Sequence, residues 1–184
     1  MTDGSLYGGL LDRARRRDGD AFAQLVDPRL AGLLRTATAI LGHEDDASDA
    51  LQDALTRAWR GLSGLRDEDR FEAWLTRIVV NECRTALKRR TRTRIREIPV
   101  DEGSGTGEPA SPRVGVAESV VGRLALEAAF ERLNADERTI LVLHHLDGRP
   151  LDEVAAILGI PVGTAKSRLH AARGSLERHL GRQR

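Results

Sequence analysis

The chain has one cysteine, Cys83, among 184 residues, so no internal disulfide can form, and no cluster of Cys and His has zinc spacing. Aromatic residues are few, at 3%. No apolar run approaches the ~20 residues that a membrane span needs. The first residues, MTDGSLYGGLLDRARRR, lack a basic start followed by an apolar core and a small-residue cleavage site, so a secretory leader is not expected and the cytosol is the expected compartment. A Gly-rich phosphate loop and a nucleophile paired with a base are both missing. Asp45, Asp46, Asp49 and Asp53 could share a helix face, but no second ligand group from a distant segment accompanies them. His144 and His145 are adjacent and would diverge by ~100° on a helix. Catalysis by the chain alone, a cofactor and a metal are therefore not expected.

Charge is abundant, and the formal net charge of +1 conceals its segregation. Glu44, Asp45, Asp46, Asp49 and Asp53 form a block without Lys or Arg. Arg84, Lys88, Arg89, Arg90, Arg92, Arg94 and Arg96 form another without acids. A basic block suits a polyanion, because each neutralised phosphate releases counterions. An acidic one repels DNA and suits a basic protein surface. Two solvated helix faces are the plainer reading of each block taken alone.

Helical periodicity dominates, no strand pattern competes, and the expected fold class is all-α. Leu25, Leu33, Leu34, Ala37, Ile40 and Leu41 share a face that stops at Gly42, with Pro28 expected to break or start that helix. Ala47, Ala50, Leu51, Ala54, Leu55, Ala58 and Trp59 follow three-four spacing up to Gly61, with acids in the first turns where the helix dipole favours them. After a polar turn, Phe71, Trp74, Leu75, Ile78, Val79, Cys83, Ala86 and Leu87 mark a third helix, and its basic residues fall in the last turns.

Residues 99 to 116, PVDEGSGTGEPASPRVGV, hold several Gly and Pro and almost no large side chains, so burial there cannot offset the entropy of ordering. This predicts two small helical domains, residues 1–92 and 119–184, joined by a flexible linker over 93–118. In the second, Val120, Val121, Leu124, Ala128 and Leu133 suggest one helix and Ile140, Leu141, Leu143 and His144 another, followed by an Asp147-Gly148 turn.

The most specific signal is LDEVAAILGIPVGTAKSRLHAARGSL, residues Leu151 to Leu176. A short helix, with Val154, Ala155 and Leu158 inward, should stop at Gly159, which adopts a left-handed turn cheaply. Ile160 would plug the angle between helices, and Pro161 suits the start of the next. There, Val162, Ala165, Leu169, Ala172 and Leu176 share one face. The opposite face presents Thr164, Ser167, His170, Ala171 and Gly174, flanked by Lys166 and Arg173 on one side and Arg168 on the other. Small residues let such a helix enter the major groove, while long basic ones reach phosphates or guanine edges. The pattern is that of a helix-turn-helix.

Over residues 20 to 92 and 120 to 180 the chain resembles the bacterial extracytoplasmic-function sigma factors of the sigma-70 family. DDASDALQDALTRAW resembles the helix that such factors dock on the clamp of RNA polymerase. FEAWLTRIVVNECRTALKRR is similar to their minus-ten helix, and GIPVGTAKSRLHAAR to their minus-35 recognition helix. The resemblance implies core RNA polymerase and promoter DNA as partners, and an anti-sigma factor as a common third. It gives Asp46, Asp49, Gln52 and Asp53 as core-docking residues, and Leu51 and Leu55 as either anchors or core. Arg77, Asn81, Arg84 and Lys88 line one face for minus-ten DNA, and the loop from Ser63 to Arg70 is the expected place for an unstacked base. Thr164, Lys166, Ser167, Arg168, His170 and Arg173 are the expected minus-35 readers. Five positions depart from the family pattern: Leu55 replaces a common aromatic, Asn134 a frequent Pro, Pro150 the usual Ser or Thr cap, and His170 and Ala171 stand where larger or basic residues are often found.

An autonomous helix-turn-helix regulator is the competing function. It would usually need a dimer to read two half-sites, and it leaves the acidic helix unexplained.

Overall fold

The computed structural model describes residues 3–65, 67–96 and 117–181, and among these there are eight α-helices and no strand. The order is α1 (Asp3–Arg15), α2 (Gly19–Leu41), α3 (Glu44–Gly61), α4 (Phe71–Arg96), α5 (Ala117–Glu131), α6 (Ala135–Leu141), α7 (Leu151–Leu158) and α8 (Val162–Gly181). Two short 3-10 turns, Leu62–Gly64 and Glu68–Arg70, carry the polar connection between α3 and α4. The central part of the segment expected to link the halves, residues 97–116, lies outside the described residues, and α4 and α5 run up to it from either side.

In the first half, α1 to α4 pack through the faces that their periodicity marks. Ala21, Leu25, Leu33, Ala37 and Ile40 from α2 meet Ala47, Ala50, Ala54 and Ala58 from α3, and Phe71, Leu75, Val79 and Cys83 from α4. The alanine stripe of α3 lets its axis lie close to its neighbours, since small side chains shorten the interaxial distance. Burial pushes the Cys83 thiol up to about 12, so it behaves as a small apolar side chain.

Pro28 neither breaks nor starts α2; it sits inside the helix. A proline there costs roughly 3 kcal/mol. Leu25 and Val26 before it and Leu33, Ala37, Ile40 and Leu41 after it bury on one helix, which outweighs that cost. Beside it the Arg29 guanidinium donates to the Leu25 carbonyl at 2.7 Å. The ends of α2 are well defined: the Asp18 carboxylate accepts from the Ala21 amide at 3.0 Å, and Gly42 (φ 82°) closes the helix.

In the second half, α6 opens with a complete capping box. The Asn134 side chain accepts from the Asp136 and Glu137 amides, and the Glu137 carboxylate accepts from the Asn134 amide at 3.1 Å. A π-helical turn, Val142–Leu146, follows and swings the chain into the Gly148 turn (φ 66°). On α5 the buried position is Ala129. Leu124, expected inward, is 55% exposed on a helix that packs on α8, and the Val120 and Val121 side chains lie outside the described residues.

The halves are in contact. Helix α4 packs on α6 and α7, and α2 packs on α6 and the π-turn. Apolar residues from Leu133 to Ala172 join the buried cluster of α1 to α4.

Candidate nucleic-acid interface

Helix α7 buries Val154, Ala155 and Ile157, while Leu158, expected inward, is half-buried. It ends in a pair of reverse bonds: Ile160 N–H donates to the Ala155 carbonyl at 3.0 Å and Gly159 N–H to that of Ala156 at 3.3 Å. This is the Schellman arrangement, and it requires the left-handed Gly159 (φ 67°). No side chain caps the start of α7: Pro150 occupies the cap position, so the usual hydroxyl is lost without replacement. The Arg149–Glu153 ion pair spans that first turn.

Helix α8 seats Ala165, Leu169 and Ala172 against α6 and α7. Val162, expected on this face, is 42% exposed, because the buried face begins only at Ala165. Ser175 extends that face instead, donating to Glu137 at 2.6 Å and so tying the α6 cap to α8. Lys166, Ser167, His170, Ala171 and Arg173 are exposed, Thr164 and Arg168 half-buried. The Arg173 guanidinium donates to the His145 ring at 3.1 Å. Burial, then the charge of Arg173 and the neighbouring His144, hold the His145 pKa below its ordinary value, which keeps that ring a neutral acceptor.

On α4, Arg77, Asn81 and Lys88 are exposed. Arg84, from the same face, is not: its side chain is only 19% exposed and reaches α6. There Nε and Nη2 both donate to Asp136 Oδ1, at 3.0 and 2.6 Å, while Arg168 Nη1 of α8 lies 3.8 Å from Oδ2. Burial alone would raise the Asp136 carboxyl, but the Arg84 hydrogen bond and the charges of Arg84, Lys88 and Arg168 bring it below its ordinary value. The turn of the second motif also approaches α4, for a Cβ on Gly159 would meet the Arg77 guanidinium at 3.3 Å. Beside Asp136 runs a groove of about 930 Å³, lined among others by Leu41, Leu87, Lys88, Arg90, Arg132 and Arg168.

On α3, Asp46, Asp49, Gln52 and Asp53 are all exposed. The three acids line a shallow recess with Glu82 and Arg89 of α4, and Asp46 lies 3.6 Å from Arg90. Leu51 is buried and Leu55 half-buried, so the apolar side of α3 serves the core. Trp59 is likewise half-buried, edge-on to Phe22 at 5.2 Å and beneath Arg17 at 5.5 Å. Trp74 leans on Phe71 at 5.9 Å. In the loop before α4, Ser63, Gly64, Asp67, Asp69 and Arg70 are exposed, Leu65 is buried, and Arg66 lies outside the described residues.

The sequence placed as helices both segments that it marks for DNA, α4 and α8. It missed Asp136, Arg138, Asp147 and Glu72, which hold the halves together. The Arg138 guanidinium reaches the Ile40 carbonyl, Thr36 donates to Asp147 at 2.9 Å, and Arg149 lies 3.8 Å from Glu72. An acid-rich helix start after Asn134 was the only signal for any of them.

Among the described residues no helix is long and apolar enough to cross a membrane. Two family models match, Sigma-70 region 2 over residues 25–93 and Sigma-70, region 4 over residues 123–176. The ECF RNA polymerase sigma factor SigM of Mycobacterium tuberculosis is 34% identical over 164 residues, 89% of this chain and 79% of SigM. The ECF RNA polymerase sigma factor SigE of Mycolicibacterium smegmatis is 30% identical over 162 residues, 88% of this chain, which spans only 62% of that relative's length. Among solved structures, the sigma factor RpoE in complex with the anti-sigma factor NepR from Bartonella quintana superposes with a TM-score of 0.62 at 28% identity, covering 89% of this chain and 98% of that one.

Proposed function

The chain belongs to the ECF sigma factors of the sigma-70 family, and on that premise we propose how it divides the work of promoter recognition among three surfaces. The acidic side of α3, with Asp46, Asp49, Gln52 and Asp53, docks on a basic surface of core RNA polymerase. Helix α4, through Arg77, Asn81, Arg84 and Lys88, engages the opened minus-ten element: arginine and lysine hold the displaced strand, and Asn81 hydrogen-bonds a base edge. Helix α8 enters the major groove of the minus-35 element, where Thr164, Ser167 and His170 face base edges and Lys166, Arg168 and Arg173 reach phosphates or guanines. Residues 1–92 and 119–184 act as two domains, with 93–118 as the span between them. The chain acts in the cytoplasm and is not itself a catalyst, since it positions an enzyme rather than performing chemistry. Like the RpoE chain that was solved with its anti-sigma factor, it is a target for such a partner.

The observation that carries this reading is the exposure of one polar and basic face of α8, directly after a Gly159 turn, with the opposite alanine-leucine face buried. A pull-down with purified core polymerase tests the docking surface. The wild-type chain should co-migrate with core, and Asp49→Lys with Asp53→Lys should abolish this while leaving thermal unfolding unchanged. Retention of core binding by that variant would move the docking surface elsewhere.

A further inference from the structure

Asp136 touches one arginine from each helix assigned to DNA. Its Oδ1 takes both donors of Arg84 on α4, and its Oδ2 faces Arg168 on α8, with Lys88 adding charge nearby. An oxyanion held by guanidinium groups is also what a DNA phosphate would be at this place. The carboxylate thus occupies the position that the proposed function gives to nucleic acid. The surrounding packing makes the overlap complete for Arg84: α6 and α7 lie against α4, and the Gly159 turn abuts Arg77. A DNA strand cannot reach Arg84 while these helices are in contact.

The outer part of this charged contact is weak. Arg168 and Asp136 are about two-fifths exposed, so their pairing is screened by salt and weak, as surface ion pairs are. Two further contacts across the halves, Thr36 to Asp147 and Arg138 to the Ile40 carbonyl, involve no DNA-reading side chain.

We propose that Asp136 is an internal phosphate mimic, which holds the free chain closed by neutralising Arg84 and Arg168 until polymerase and promoter DNA take its place. This rests on the assignment of Arg84 and Arg168 to DNA. In the closed form the binding-competent state is a fraction of the population, and apparent affinity falls by that fraction.

The test compares full-length wild type, Asp136→Asn, Arg84→Gln and the double variant, each first shown to unfold cooperatively. Asparagine keeps the size of the side chain and removes its charge. Small-angle X-ray scattering reports closure, and anisotropy of labelled, random-sequence single-stranded DNA reports binding. The proposal expects Asp136→Asn to expand the chain and to tighten DNA binding by about three-fold, the scale of a partly exposed ion pair. It expects that gain to vanish when Arg84 is Gln. Expansion without tighter binding, with Arg84→Gln binding as wild type, would overturn the assignment of Arg84 to DNA and the mimicry with it. If Arg84→Gln weakens binding but Asp136→Asn changes neither shape nor affinity, the DNA assignment stands and the mimicry alone fails.

Discussion

The Arg138 guanidinium on α6 donates from Nη1 to the main-chain carbonyl of Ile40, 3.1 Å away at the end of α2. That carbonyl is one of the last of its helix, where the dipole is negative and a cation is favoured. Arg138 is 6% exposed and also stacks over Phe130 at 5.7 Å. Burial pulls its pKa below the ordinary value without threatening its charge. Arg138→Met retains much of the volume and removes the donor, leaving a buried carbonyl unanswered. Urea unfolding should show a loss of about 2 kcal/mol, the range for a hydrogen bond to a charged group.

The Asn134 capping box predicts a smaller effect. Asn134→Ala removes the acceptor for the Asp136 and Glu137 amides. The expected cost is about 1 kcal/mol, which for a chain of this size lowers the melting temperature by roughly 2–4 °C. Calorimetry of the two proteins reads this directly.

Gly159→Ala places a Cβ in a left-handed conformation and 3.3 Å from the Arg77 guanidinium. The backbone term alone is about 1–2 kcal/mol, and Arg77 must also shift. Chemical denaturation should show at least that loss, whereas Gly163→Ala, at an open helical position, should show none.

Two carboxyl groups between the halves respond to pH in opposite senses. Asp136 lies below its ordinary 3.8, so its contribution is complete above 3.8 and is lost as pH falls through the lowered value. Asp147 is raised, by burial first, against the opposing Thr36 hydrogen bond and the charges of Arg149 and Arg35. Its contribution is complete below 3.8 and is lost as pH rises through the raised value. Asp147→Asn should therefore gain stability over wild type at neutral pH and show less advantage in acid. Asp136→Asn should lose stability at neutral pH and less in acid. Unfolding curves at both pH values separate the two.

How far the sequence reached follows from the range of each interaction. The faces of α3 and the inner face of α8 from Ala165 to Ala172 were legible, because local periodicity sets them. Helix α1 was not anticipated: DGSLYGGLLDRAR carries three glycines, and only packing of Leu11 and Ala14 reveals its role. Pro28 was misread because a local cost was weighed without the tertiary burial on either side. The acidic and basic residues proposed for the site were legible only as types and positions. Their mutual engagement was not, since Arg84 and Asp136 are 52 residues apart and no periodicity connects them.

Run-off transcription tests the central claim most directly, with purified core RNA polymerase, bacterial genomic promoter fragments and either wild-type chain or the Lys166→Ala, Arg173→Ala double variant. Both side chains are exposed on α8, away from its buried face. The account predicts discrete transcripts with wild type, strong loss with the variant, and equal binding of both to core. Undiminished transcription by the variant would contradict the placement of the reading face, and no transcripts with wild type, together with no co-migration with core, would contradict the assignment of the chain as a sigma factor.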